Sequence, residues 1–198
     1  SAASCRMSET HRPSAGASSD FVPPWRLRHH HVQTIYPSLP LRRAGVERRA
    51  SVLRQASRDV IVECGDGVRL LAHVATQADA GRPPSDRLAV LLHGWEGSAD
   101  SLYLLSLGQK LFDAGYDVAR LNLRDHGESH HLNAGIFHSC RIAEVVGAVR
   151  ELQRQHPGKR LVLAGFSLGG NFCLRVGARA AAAGIDVSRI VAVCPVID

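Results

Sequence analysis

The sequence predicts an α/β protein with a mostly parallel sheet and an antiparallel hairpin at its N-terminal edge. Three observations carry this reading. Short unbroken apolar runs stand at 88–92, 116–123, 160–166 and 189–194, as strands covered on both faces require. Longer stretches with helical periodicity separate them, and strand–helix–strand repeated three times gives parallel pairing with right-handed crossovers. Ahead of these, "DVIVEC" and "VRLLAHVA" flank "GDG", a strong hairpin turn signal.

In chain order, residues 1–20 are rich in Ser and Ala and nearly free of large apolar side chains, which predicts a disordered tail. Residues 21–57 read as an irregular basic segment packed on the core, because Pro23, Pro24, Pro37 and Pro40 interrupt any long element. Regular structure is expected from about Asp59, and residues 58–198 form the folded domain. Ile142, Val145, Val146, Val149 and Leu152 make one helical stripe that Pro157 and Gly158 end. A further helix is expected from Leu168 to Gly184, after a run of alanines.

Composition narrows the function classes. Of 198 residues, 45% are hydrophobic and only 5% aromatic, which describes one core filled mainly by aliphatic side chains. No apolar run reaches the 18 residues a membrane span needs, and no apolar leader opens the chain. Cys5, Cys64, Cys140, Cys173 and Cys194 have no C-x-x-C spacing. Reduced thiols and a cytoplasmic location follow as expectations. Residues 1–60 hold ten Arg against four acids and residues 61–198 hold fourteen bases against fourteen acids, so the whole net charge of +6 lies in the N-terminal segment. Its arginines are scattered, which fits a solvated arm able to touch a membrane surface and does not fit a nucleic-acid site.

Gly165-Phe166-Ser167-Leu168-Gly169 is a G-x-S-x-G match placed between a buried strand and a helix. That context marks a nucleophile elbow, in which the serine Oγ stands exposed above the sheet. A side chain at Gly165 or Gly169 would collide with the neighbouring strand or helix. "HGWEGS", from His93 to Ser98, follows directly on the strand at 88–92. Acyl transfer needs two backbone N–H donors for the oxyanion, and those of Leu168 and Trp95 occupy the expected positions. His93 and Gly94 belong to the supporting turn, with His93 bracing it by hydrogen bonds, and the Trp95 indole is expected to wall the acyl pocket. "NLRDHGES", from Asn122 to Ser129, places Arg124, Asp125, His126 and Glu128 in a polar loop beside this site. A catalytic Asp125–His126 pair is awkward, because adjacent side chains point different ways. No histidine set has metal-ligand spacing, so neither metal nor cofactor is expected.

The ordered set "HHVQTIYPSL", "HGWEGS", "LRDHGES" and "GFSLGGN" resembles the α/β-hydrolase superfamily, and more narrowly its YheT-like branch of predicted esterases and lipases. The resemblance spans residues 25–198. It implies an α/β-hydrolase fold, Ser167 as nucleophile, Trp95 and Leu168 as oxyanion donors, and a small-molecule ester or lipid as substrate, with hydrolysis or transfer of the acyl group. It also implies that residues 25–40 are a functional segment near the substrate entrance. One departure is plain. The superfamily order is Ser, then Asp or Glu, then His, yet no histidine occurs among the 31 residues after Ser167. Asp198 is the one acid near the last strand end and is a non-standard candidate for the triad acid. The sequence therefore reads as the N-terminal part of a longer hydrolase, truncated after about the sixth strand and nearly inactive alone. The alternative from another class is a non-catalytic ligand-binding protein of the same fold.

Overall fold

The structure, a computed structural model, describes residues 22–36 and 40–197. The tail expected over 1–20 and the candidate acid Asp198 lie outside the described residues. The chain divides between residues 39 and 40 into two compact units. In the first, a single 3-10 turn at Trp25–Leu27 precedes α1 (His30–Ile35), and the Gln33 amide ties them by donating to the Leu27 carbonyl at 2.8 Å.

The second unit departs from expectation at its start. Residues 40–56 are helical, as α2 (Pro40–Arg49) and α3 (Ser51–Ala56), and regular structure begins well before Asp59. Proline in the first turn of a helix lacks only an N–H that would have gone unbonded, so Pro40 starts the helix and does not break it. The stripe Val46, Ala50, Leu53 and Ala56 is buried, at spacings of four, three and three residues. It is hidden in the sequence by the surrounding arginines.

The sheet is the predicted one. β1 (Ser57–Gly65) and β2 (Val68–Ala75) form an antiparallel hairpin across a turn in which Gly65, Asp66 and Gly67 all have positive φ. β3 (Arg87–Leu92), α4 (Leu102–Asp113), β4 (Asp117–Leu121), α5 (Ile142–Gln155), β5 (Arg160–Phe166), α6 (Leu168–Gly177) and β6 (Val187–Val193) follow. Among the described residues the spatial order is β1-β2-β4-β3-β5-β6, with β4, β3, β5 and β6 mutually parallel.

Strand alternation sends successive side chains to opposite faces. Leu88, Val90 and Leu92 join Leu161 and Leu163 beneath α5 and α6, where Val145, Val149, Leu152, Phe172 and Val176 complete the larger core. Ala89, Leu91, Val118 and Ala164 face the other way, onto Leu53, Leu104 and Phe112 of α3 and α4. Gly147 is required where α5 crosses β1, since a Cβ there would overlap the Cys64 carbonyl.

α6 ends at Gly177 and not at Gly184. Beyond it the bonding tightens to three-residue turns, such as Ala180 N–H to the Gly177 carbonyl and Gly184 N–H to the Ala181 carbonyl. The alanine run is therefore turn, closed by Gly184 at φ 67°. Among the described residues, no helix is long and apolar enough to cross a membrane.

Candidate active site

Ser167 sits between β5 and α6 at φ 51° and ψ −116°, a backbone conformation that L-residues rarely adopt. Two hydrogen bonds hold it there. Its N–H donates to the Val193 carbonyl of β6 at 2.9 Å, and its carbonyl accepts the Asn171 N–H at 3.0 Å. The glycines around it are dictated by close approach. A Cβ at Gly165 would overlap the Gly169 carbonyl, and one at Gly169 would overlap the carbonyls of His93 and Leu92. Any side chain at either position would push α6 off the sheet.

The loop after β3 rests against this turn. A Cβ on Gly94 would lie 3.3 Å from the Phe166 carbonyl and 3.4 Å from the Ser167 Cβ. Tyr103 of α4 fixes the loop by accepting the Gly94 N–H at 3.0 Å, with its ring 4.8 Å from that of Phe166. Nothing in the sequence signals Tyr103, because its role depends on α4 folding back over the loop.

His93 is fully buried, and both ring nitrogens are engaged. Nε2 accepts the Leu123 N–H at 3.1 Å, so the proton is on Nδ1, which donates to the Gly94 carbonyl at 2.8 Å. Desolvation pushes its pKa down to about 4, so the ring is neutral at pH 7. His93 thus ties the loop after β3 to the start of the loop after β4, and neither nitrogen is free to take a proton.

The loop after β4 separates Asp125 from His126. Asp125 Oδ1 lies 2.7 Å from His130 Nδ1, whereas His126 Nδ1 donates to the Arg124 carbonyl at 2.7 Å. The two side chains make no pair. The main tie of this loop is one that sequence reading missed. Arg124 forms a two-point ion pair with Glu144 of α5, through Nε and Nη2 at 2.7–3.1 Å, and Arg141 joins it at 3.0 Å. Glu144 stands 20 residues away from Arg124. Glu128 takes no part among the described residues.

A cleft of about 590 Å³ opens beside Ser167. Trp95, Cys140, Leu168, Asn171, Arg175 and Val196 line it with the serine. Trp95 is 63% exposed, and its ring stands edge-on to that of Phe137 at 6.0 Å. Among the described residues the Trp95 N–H donates to no acceptor, and the Leu168 N–H, as the first of a helix, has no intrahelical partner. Asn171 and Arg175 were not foreseen, although their positions four and eight residues after Ser167 put all three on one helix face. No group of three metal-ligating side chains occurs among the described residues.

The sequence profile of the α/β-hydrolase fold family matches residues 89–198. The chain belongs to the α/β-hydrolase fold family. Solved structures of similar fold include the esterase Pf2001 of Pyrococcus furiosus, at 23% identity and a TM-score of 0.62, covering 75% of this chain and 54% of that one. The esterase Est22 has 19% identity and a TM-score of 0.59, over 87% of this chain and 54% of that one. An α/β serine hydrolase of Xanthomonas campestris, described as lacking a lid, has 24% identity and a TM-score of 0.53, over 70% of this chain and 61% of that one. The chain thus spans between half and two thirds of the length of these α/β-hydrolases. No curated protein matches it by sequence. The predicted mixed sheet with its N-terminal hairpin is the α/β-hydrolase arrangement of strands.

Proposed function

We propose that the whole protein is a carboxylic ester hydrolase of the lipase-like kind, with Ser167 as nucleophile. Ser167 Oγ attacks the ester carbonyl, its proton passes to a base, and the carbonyl oxygen becomes an oxyanion. The N–H groups of Leu168 and Trp95, two residues that line the cleft and whose N–H groups have no partner among the described residues, are the donors that stabilise that charge, helped by the positive end of the α6 dipole. Collapse expels the alcohol and leaves an acyl-serine, which water hydrolyses or a second alcohol accepts. The observation that carries this reading is the strained backbone of Ser167, held at φ 51° by β6 and α6 at a cleft that Trp95 and Leu168 also line. The "HHVQTIYPSL" segment supports the YheT-like branch within the family.

His93 is excluded as the base by its two engaged nitrogens. The family order places acid and base after the nucleophile, and the 31 residues after Ser167 include no histidine. The 198-residue chain by itself is therefore expected to be slower than the whole protein by a factor of about 10⁴ to 10⁶.

Treatment of the whole protein with a fluorophosphonate tests the reading. One covalent adduct on Ser167, absent in Ser167→Ala, is the expected result. Folded protein that takes no adduct at Ser167 removes the proposal.

A further inference from the structure

We infer that Arg175 is a specificity-determining residue that binds an anionic group, carboxylate or phosphate, carried by the substrate of Ser167. The inference rests on the reading of Ser167 as nucleophile.

From Ser167, which caps α6, Asn171 and Arg175 follow at four-residue intervals, and all three line the same cleft. Arg175 is held in one orientation. Its Nη1 donates to the Ser139 carbonyl at 2.7 Å and to Asn171 Oδ1 at 3.3 Å, and its guanidinium carbon lies 5.2 Å from the centre of the Phe172 ring. Asn171 is itself anchored, its Nδ2 donating to the Val196 carbonyl at 2.8 Å. A guanidinium fixed in this way loses little further entropy when it takes a ligand.

Its charge is answered by no acid among the described residues. Arg120 pairs with Asp100 at 2.9 Å, Arg124 with Glu144 at 2.7 Å, and Arg141 with Glu144 at 3.0 Å. Among the described residues no carboxylate pairs with Arg175, and no acid lines the cleft. Nη1 is engaged, while the Nε–Nη2 edge has no partner among the described residues. That edge is the one that grips an oxyanion at two points, as the same edge of Arg124 grips Glu144. Neither atom is shut off from solvent, since the only buried side-chain donors left unpaired among the described residues are Arg87 Nε and Arg120 Nε.

Geometry sets where the anion lies on the substrate. Eight residues of helix separate the Cα atoms of Ser167 and Arg175 by roughly 12 Å along the axis. Helical side chains lean toward the N-terminus, so the guanidinium reaches back toward the serine. The anionic group is therefore several bonds away from the scissile carbonyl, on the acyl chain or on the alcohol, and not next to it.

Two matched substrate pairs test this in the whole protein and separate the two anions. One pair is the mono-p-nitrophenyl ester of glutaric acid against p-nitrophenyl valerate. The other is a 1-acylglycerol 3-phosphate against the 1-monoacylglycerol of the same chain. The wild type is expected to prefer the anionic member of at least one pair by about tenfold or more in kcat/KM, less so as salt is raised. Arg175→Gln should shrink that preference about tenfold or more, mainly through KM, and Arg175→Lys should fall between the two. A wild type that favours the neutral member of both pairs overturns the inference. So does an Arg175→Gln variant that slows both members equally, since that is the behaviour of a merely structural residue. If no ester is cleaved and no fluorophosphonate adduct forms, the Ser167 reading has failed, and calorimetry with glutarate and with glycerol 3-phosphate decides on Arg175. Heat of binding in the wild type that disappears in Arg175→Gln supports the anion site, and no binding of either compound to the wild type rejects it.

Discussion

The two ends of the parallel sheet handle the same backbone problem in opposite ways. Each of β3, β4, β5 and β6 is entered and left through a turn with positive φ. On entry that residue is glycine: Gly81 at 68°, Gly115 at 83°, Gly158 at 76° and Gly184 at 67°. On exit one such residue per strand carries a side chain: Glu96 at 53°, Asp125 at 59°, Ser167 at 51° and Cys194 at 45°, with Gly127 at 60° and Gly135 at 82° following Asp125. A non-glycine residue in such a conformation costs on the order of 1–3 kcal/mol, and glycine nearly nothing. Where the turn only has to reverse the chain, glycine serves. Of the four exit residues Ser167 lines the cleft, and there a side chain is kept despite the strain.

Polar groups divide in the same way. At the entry end Asp117 Oδ1 accepts the Gln77 N–H at 2.8 Å and Oδ2 pairs with Lys159 at 2.6 Å, while Lys159 also donates to the Ser85 carbonyl at 2.7 Å. The Gln77 amide closes the group on the Phe112 and Tyr116 carbonyls. At the exit end the Trp95 N–H and the Nε–Nη2 edge of Arg175 have no partner among the described residues.

Removing Asp117 is the largest test of this contrast. It is 1% exposed, so Asp117→Ala strands a partly buried ammonium and the Gln77 N–H, and should cost about 3–5 kcal/mol in urea unfolding. The fraction still folded should take up fluorophosphonate at Ser167 at the wild-type rate. A lost adduct in folded protein would erase the division between the two ends.

The second test uses pH. The folded-state pKa of His93 is about 4, below its ordinary value near 6.5, so between these values the unfolded chain binds a proton that the folded chain does not. Stability is then complete above pH 6.5 and falls as pH drops toward 4, by up to about 3 kcal/mol in total. His93→Gln should flatten that acid limb by about one proton, as read from urea midpoints between pH 7 and 4.5. An unchanged slope would mean that another group carries it.

The smallest effect has the opposite sign. Ser167→Gly removes the strained side chain and should raise stability by about 1 kcal/mol, while abolishing the adduct. A loss of stability would show that the serine is not held at a cost.

Much of the site was legible because its residues are local in sequence. The strand at 160–166, the glycines of G-x-S-x-G and the helix start determine the elbow, and the collisions that require Gly165 and Gly169 involve segments the pattern already names. His93 was legible as a brace, since a histidine directly after a buried strand has little besides backbone within reach. Arg124 was seen as part of a polar loop, but its partner Glu144 was not, because an ion pair across 20 residues leaves no local trace. Residues 40–56 are helical against expectation for a related reason: four buried positions spread among arginines form a stripe only once α2 and α3 pack on α4.

By itself, the sequence determined the strand and helix order, the hairpin, the elbow and the loop that meets it, because periodicity, turn chemistry and glycine spacing act over a few residues. Only the tertiary structure decided that Asp125 and His126 part company, that His93 is locked as a neutral brace, and that Arg175 lines the cleft with one edge unpartnered among the described residues. Each of these depends on which groups remain unpaired after packing, and pairing is a property of the whole fold.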